Sequence, residues 1–171
     1  NFKIMYEKFG QFIDGKWQKS SDKSTYEVIN PANEEVIGHA SKATPADVDK
    51  ALKSAAKGLE VWKQTPPWQR SYIIRRIADK MREKQDVLAK WMTLEVGKPL
   101  AEAKGEVGGA ADIFEWNAEE TKRIYGQTVE SRFADTRVHV YYQPIGVVAA
   151  LTPWNFPLVL SSRKISTALA A

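Results

Sequence analysis

The apolar residues of this chain change their spacing along its length, and the spacing predicts a β-rich start, a helical middle and a return to extended structure. Near the N-terminus, short alternating runs flank Asp14-Gly15, a dipeptide typical of a β-hairpin turn. Residues 26–29 predict another short strand. It ends at Asn30-Pro31, because proline disfavours an α conformation in the residue before it.

Helical spacing dominates residues 44–125. Thr44-Pro45-Ala46-Asp47 predicts a capped helix start with proline in the first helical position. Pro66-Pro67 separates this helix from a second, and Gly97 followed by Pro99 predicts the end of a third. A fourth helix is predicted over about residues 100–125, ending at Gly126. Its apolar face comprises Val107, Ala110, Ala111 and Phe114.

The fourth predicted helix also contains Gly105, Gly108 and Gly109, which lower its helix propensity. Either a neighbour packs closely there or the helix bends. We expect the close neighbour.

Extended structure returns near the C-terminus. Residues 137–143 alternate between apolar and polar positions, whereas residues 147–151 are apolar throughout, which predicts a strand covered on both faces, as in a parallel sheet. Residues 153–157, Pro-Trp-Asn-Phe-Pro, then predict a turn into a helix. Such strand–turn–helix junctions are where α/β proteins bind ligands. Because a single parallel strand needs partners, we expect the chain to be the N-terminal part of a larger protein.

Composition narrows the possible functions. The 171 residues are 43% hydrophobic and 27% charged, which is typical of a globular protein. The net charge of +4 is scattered, so nucleic acid is not an expected partner. No apolar run is long enough to span a membrane, so a membrane is not an expected partner either. Absence of cysteine excludes a thiol nucleophile within these residues, and with only His39 and His139 no metal site is predicted. The N-terminus lacks a secretory pattern, and we expect a cytoplasmic protein.

An ordered set of motifs resembles the aldehyde dehydrogenase superfamily over essentially the whole chain, with most similarity to its semialdehyde branch. The motifs that carry the resemblance are Phe12-Ile13-Asp14-Gly15-Lys16-Trp17, Asn30-Pro31-Ala32, Glu95-Val96-Gly97-Lys98-Pro99, Phe114-Glu115-Trp116, Ala118-Glu119-Glu120, Tyr125-Gly126, Pro144 to Pro157, Arg163-Lys164 and Ala168 to Ala171. In one departure, Ser166 or Thr167 stands where the family usually has proline.

The resemblance implies an α/β fold, namely the N-terminal part of an aldehyde dehydrogenase-like fold. Residues 1–125 would form the first part of a cofactor-binding domain. Residues 126–144 would form oligomerisation strands of a homodimer or homotetramer. Residues 145–171 would begin the Rossmann-type core, so the cofactor domain is expected to be incomplete in this chain.

The activity that the resemblance implies is oxidation of an aldehyde to a carboxylate with NAD or NADP. It proceeds through a thiohemiacetal on a cysteine that these residues lack, so the 171 residues alone are not expected to be active. Asn155 would donate a hydrogen bond to the oxygen anion of that adduct. Without the resemblance, the favoured interpretation of Asn155 is a residue that holds the turn, and the resemblance reverses that preference.

Other site residues follow from the same resemblance. Leu151, Thr152, Pro153, Trp154 and Lys164 would contact the cofactor; core packing, or a surface position for Lys164, is the alternative. Phe156 and Val159 would wall the substrate tunnel, or merely fill the core, and Gly109 would widen that tunnel. Arg163 would bind a substrate carboxylate through a bidentate guanidinium, unless it simply faces solvent.

The substrate that Arg163 favours is an ω-carboxylated semialdehyde, such as succinate or 2-oxoglutarate semialdehyde. Oxidation of lactaldehyde or glycolaldehyde is the alternative within the enzymes. A non-catalytic structural or binding protein on the same fold is the alternative of a different class, because the chain has no thiol.

Overall fold

Residues 9–171 form three two-stranded antiparallel sheets and five α-helices. The structure is a computed structural model that describes Tyr6 and residues 9–171, so residues 1–5 and 7–8 of the predicted 1–125 region lie outside the described residues. The strands are β1 (Gln11–Ile13), β2 (Lys16–Gln18), β3 (Thr25–Ile29), β4 (Val36–Ser41), β5 (Gln127–Glu130) and β6 (Arg137–Val140). The helices are α1 (Pro45–Trp62), α2 (Pro67–Glu83), α3 (Gln85–Val96), α4 (Leu100–Glu120) and α5 (Pro157–Ala170).

The predicted N-terminal hairpin is confirmed. Strands β1 and β2 pair with Phe12 opposite Trp17, and the turn residues Asp14 and Gly15 have φ of 55° and 72°. Positive φ at both turn positions is the conformation that matches the right-handed twist of the flanking strands.

The predicted capped start of α1 is also confirmed. Thr44 accepts a hydrogen bond from the backbone N–H of Asp47, whose carboxylate accepts one from the backbone N–H of Thr44. The backbone N–H of Ser21 also donates to this carboxylate. Hydrogen bonds from Ser21 and Thr44 hold the pKa of Asp47 well below its usual range.

Helix α4 lies at the centre of the hydrophobic core. One cluster of buried residues joins it to α2 and α5, and a second joins it to α3. The α4 residues in these clusters are mostly alanine, so the neighbouring helices can approach its backbone closely. The buried α4 residues are Ala103, Val107, Ala110, Ala111, Phe114 and Ala118.

Ion pairs on the surface align α2 with α4. The Arg75 Nη1 atom lies 2.5 Å from Glu115 Oε1, and Arg82 Nη2 lies 2.5 Å from Glu115 Oε2. Hydrogen bonds from Arg82 and Arg75 lower the pKa of Glu115. Because these groups are partly exposed, water screens them, and they contribute less to stability than the apolar core.

Two sequence predictions about the C-terminal third are wrong. Residues 147–151 form no strand, and Ile145 and Leu151 are 93% and 79% exposed. A strand is defined by backbone hydrogen bonds to a neighbouring strand, and the backbone of the described residues provides none to this segment. The fourth helix ends at Glu120 rather than near residue 125, and a 3₁₀ turn follows over Thr121–Arg123.

The expected close neighbour of the α4 glycines is absent at Gly105. A Cβ added there would meet nothing within 4 Å, whereas one at Gly109 would lie 3.9 Å from Val159 Cγ2. That separation is ordinary van der Waals contact. Neither position requires glycine for steric reasons.

No helix in the described part of the chain is long and apolar enough to cross a membrane.

We expect Gly105→Ala to raise the free energy of unfolding by about 0.5–1 kcal/mol, because alanine loses less conformational entropy in an exposed helix interior. Gly97→Ala is the matched control. Gly97 has φ of 76°, and an added Cβ would come within 2.9 Å of Pro31 Cγ, so this change should be destabilising. Urea unfolding of the protein that carries this chain measures both. A loss of stability in Gly105→Ala would show that α4 needs glycine there.

Candidate functional site

The predicted junction at residues 153–157 is an exposed turn that leads directly into α5. Asn155 lies in a segment without helix or strand, and α5 begins at Pro157. Proline suits this first helical position, because its ring fixes φ and its missing N–H would have no partner there. The turn and the helix of the predicted junction are therefore confirmed.

The N-terminus of α5 is capped by a side chain from another helix. Phe156 precedes the helix and makes no side-chain cap. Instead Glu106 Oε1, from the middle of α4, accepts hydrogen bonds from the backbone N–H of Leu158 at 3.0 Å and of Val159 at 3.2 Å. The carboxylate thus pairs two amides that begin the helix and lies at the positive end of the helix dipole.

Lys98 links the Glu106 carboxylate to the turn itself. Its Nζ forms an ion pair with Glu106 Oε2 and donates to the backbone carbonyl oxygen of Asn155 at 3.1 Å. It also lies 3.9 Å from the centre of the Phe156 ring, close enough for a cation–π contact. The side chains of Lys98 and Glu106 are only 10% and 2% exposed. We call these two residues the Lys98–Glu106 clamp.

The local sequence explains how Lys98 reaches Glu106. Gly97 adopts a left-handed conformation that ends α3, and Pro99 directly precedes the first residue of α4. The chain therefore reverses between the two helices at Lys98. Glu106 lies further along α4, on the face that carries buried Ala103 and Val107.

The carboxamide of Asn155 is left available by these contacts. Its backbone carbonyl is bound by Lys98, but its side chain makes no hydrogen bond to any of the described residues. An amide offers two N–H donors without a titratable charge. A fixed backbone with a neutral, uncommitted donor suits stabilisation of an oxygen anion.

The predicted cofactor residues 151–154 lie together just before this turn. Leu151 and Trp154 are 79% and 75% exposed. The backbone N–H groups of residues 151, 152 and 154 donate to no described residue. Lys164, on α5, donates from Nζ to the carbonyl oxygen of Leu151 at 2.6 Å. Among the described residues, the segment and Lys164 thus form one surface that offers apolar area and unpaired amides.

Arg163 lines a cleft of about 890 Å³ between α1, residues 144–150 and α5. Its side chain is exposed, and none of the ion pairs among the described residues includes it. Much of the cleft wall is apolar, including Leu59, Trp62 and Val147. A guanidinium without a protein carboxylate in such a cleft could accept one from a ligand.

The predicted tunnel residues occupy the first turn of α5 and the position just before it. Phe156 packs its ring against Lys98 Nζ, and half-buried Val159 faces Gly109 on α4. Phe156 thus contacts Lys98 between α3 and α4, and Val159 contacts α4 itself. The small residue at 109 leaves space beside Val159.

The departure at Ser166 has a structural explanation. Helix α5 is uninterrupted there, and Ser166 is fully buried. Its Oγ donates to the carbonyl oxygen of Ser162 at 2.6 Å and accepts from Asn117 Nδ2 at 2.9 Å. A serine at this position therefore links α5 to α4.

Sequence reasoning missed the Lys98–Glu106 clamp, although a signal was present. Glu106 falls at helical spacing among Ala103, Val107 and Ala110, which form the buried face of α4. A glutamate within an apolar stripe is expected to be paired, since an unpaired buried charge is strongly unfavourable. The sequence does not identify Lys98 as the partner, because several other lysines lie at comparable distances along the chain.

The chain matches one protein-family model and is similar to several known proteins over most of its length. The family model described as "Aldehyde dehydrogenase family" matches residues 17–171. The chain is 47% identical over 160 residues to a glutarate-semialdehyde dehydrogenase of Pseudomonas aeruginosa, covering 94% of this chain and 33% of that protein. It is 46% identical over 159 residues to an NADP-dependent succinate-semialdehyde dehydrogenase of Escherichia coli, covering 93% of this chain and 33% of that protein.

The fold of this chain is also similar to that of a solved structure. The crystal structure of an NADP-dependent enzyme from E. coli superimposes with a TM-score of 0.93 at 45% identity, covering 96% of this chain and 35% of that one. The chain thus spans about one third of the length of the relatives that it matches.

Proposed function

The chain belongs to the aldehyde dehydrogenase family, and we propose that the protein that carries it oxidises an aldehyde to a carboxylate with NAD or NADP. The observation that carries this proposal is the Asn155 carboxamide. It is exposed and has no hydrogen bond to the described residues, on a turn whose backbone is held by Lys98. The named activities of the two semialdehyde dehydrogenase relatives support it.

Asn155 acts when the aldehyde carbon becomes tetrahedral. At that moment the carbonyl oxygen gains negative charge, and the carboxamide N–H donates a hydrogen bond to it. Because the amide is neutral at all ordinary pH values, this donor does not depend on protonation. The thiol nucleophile of this chemistry is not among these 171 residues.

The cofactor proposal rests on residues 151–154 and Lys164. When bound, NAD or NADP accepts the hydride that leaves the substrate carbon. Leu151, Thr152, Pro153 and Trp154 supply exposed apolar surface and unpaired amides next to Asn155, and these fit the nicotinamide half of such a ligand. Lys164 holds the segment through a hydrogen bond to the carbonyl oxygen of Leu151, and it would lie near the ribose of the cofactor.

The substrate proposal is an ω-carboxylated semialdehyde. Arg163 has no carboxylate partner among the described residues, so its guanidinium is available for the far end of a substrate. The relatives named for glutarate semialdehyde and succinate semialdehyde support this class. Phe156 and Val159, beside the small Gly109, would contact the methylene chain.

The domain assignment remains part of the proposal. Residues 1–125 would begin the cofactor-binding domain and residues 145–171 the Rossmann-type core, with the β5–β6 hairpin of residues 126–144 joining copies of the protein. This hairpin has an apolar face with Val129 opposite Val138, and all of its strand residues are exposed. A two-stranded ribbon is marginally stable alone, which supports a partner on its apolar face.

Asn155→Ala should lower kcat by about 100-fold to 1,000-fold, the usual effect of losing one oxyanion donor. The measurement is NAD(P)H formation from succinate semialdehyde by the intact protein that carries this chain. Asn33→Ala, in an exposed turn, is the matched control and should retain normal turnover. An unchanged kcat in Asn155→Ala would remove its proposed role.

Arg163→Leu should lower kcat/KM for succinate semialdehyde by about 10-fold to 100-fold, the range expected for losing a charge-assisted hydrogen-bonded pair. Butanal, an uncharged aldehyde of the same chain length, is the matched substrate and should be little affected. Equal losses for both aldehydes would argue against carboxylate binding. They would return lactaldehyde and glycolaldehyde as candidates.

Val129→Lys should lower the molecular mass of the intact protein in light scattering, because it places a charge on the apolar face of the hairpin. Thr128→Lys puts the same charge on the opposite face, where Thr128 Oγ1 lies 3.2 Å from His139 Nδ1. Its mass should stay that of the parent protein. A parent that is already monomeric would contradict the oligomerisation proposal.

A further inference from the structure

We propose that Lys98 and Glu106 are positioning residues, which hold the Asn155 carboxamide where the substrate oxygen becomes negatively charged. The inference rests on the role proposed above for Asn155. It adds that two buried charges in the α3–α4 region, remote from the turn in sequence, determine whether the donor is correctly placed.

The first step is that the clamp binds the chain at Asn155 and at the start of α5. Lys98 Nζ donates to the backbone carbonyl oxygen of Asn155 at 3.1 Å. Three and four residues later, the backbone N–H groups of Leu158 and Val159 donate to Glu106 Oε1. Because Lys98 and Glu106 also pair with each other, the two attachment points cannot move independently.

The second step is that Lys98 is the one described residue that hydrogen-bonds to residues 152–155, since Lys164 binds only the carbonyl of Leu151 before them. Residues 152–155 make no other hydrogen bond to the described part of the chain. The ring of Phe156 packs on the same ammonium group, so the residue after Asn155 depends on Lys98 as well. Loss of the ammonium would therefore release both residues together.

The third step is burial. The side chains of Lys98 and Glu106 are only 10% and 2% exposed. Bulk water therefore cannot replace a lost contact of either residue unless the structure opens locally. Removing one partner of a buried pair leaves the other charge uncompensated. The turn is then expected to shift, and displacement of a catalytic group by about 1 Å can slow a reaction about 100-fold.

Lys98 is not itself proposed to touch the substrate. Its ammonium is committed to the Glu106 carboxylate, the Asn155 carbonyl and the Phe156 ring. Its effect must therefore pass through Asn155 and Phe156. A purely structural cap of α5 would instead affect stability, with no special dependence on Asn155.

A double-mutant cycle separates these possibilities. Steady-state NAD(P)H formation is measured in the intact protein with Lys98→Met, Asn155→Ala and both together. Lys98→Met should slow turnover by about 10-fold to 100-fold with the aldehyde KM changed less than about 3-fold. In the Asn155→Ala background, it should cause less than about 3-fold further loss, because coupled residues are not additive.

Two further variants serve as controls. Lys104→Met removes the same charge from an exposed α4 lysine that pairs with Asp86 at 2.7 Å, and it should leave turnover unchanged. Lys98→Arg keeps the charge and should recover most of the rate. If Lys98→Met does not fold, Glu106→Gln replaces it in the cycle, since the introduced carboxamide would keep an oxygen acceptor for the α5 amides.

The outcomes are distinct. An unchanged rate in Lys98→Met, or the same fold-loss in both Asn155 backgrounds, would overturn the positioning role while leaving the proposed function intact. If the parent protein forms no NAD(P)H from the aldehyde, the proposed function fails. If the parent is active but Asn155→Ala has no effect on turnover, the proposed role of Asn155 fails, and the positioning inference fails with it.

Discussion

A carboxylate that is almost completely removed from water remains favourable only if other donors replace its hydration. Glu106 meets this condition with one ammonium and two backbone amides, and the geometry of the site depends on that requirement. The same contacts bring together the α3–α4 turn, the middle of α4 and the start of α5. The Asn155 turn is fixed because Lys98, the ion-pair partner of Glu106, also binds the Asn155 carbonyl, and the backbone amides that Glu106 binds follow directly after the turn.

The helical core gives this interaction a rigid base. Helix α4 packs on α2, α3 and α5 through side chains that are mostly alanine, so its neighbours lie close to its backbone. Asn117 and Ser166 add a polar contact between α4 and α5 further along the same interface. The orientation of α5, and with it the direction of its N-terminus, is thus defined at two separate places.

Much of the local structure could be predicted because short-range steric and hydrogen-bonding rules determine it. Asp14-Gly15 adopts the two positive φ angles of a hairpin turn, Thr44 and Asp47 form their reciprocal cap, and Gly97 ends α3 in a left-handed conformation. The strand prediction for residues 147–151 is wrong, because apolar composition signals burial, whereas a strand requires hydrogen bonds from a neighbouring chain segment. Those hydrogen bonds are not supplied by the described residues.

Residue types and their spacing were sufficient to predict the N-terminal hairpin, the first helix start, the end of α3, the family and Asn155 as a candidate donor. These depend on residue types and their spacing over a few positions. Only the tertiary structure decided that Lys98 and Glu106 hold that donor, since their contacts with Asn155 and Leu158 join residues more than a helix apart in sequence. Pairing between buried charges depends on how helices pack in three dimensions, and no local pattern specifies which distant backbone atoms they will meet.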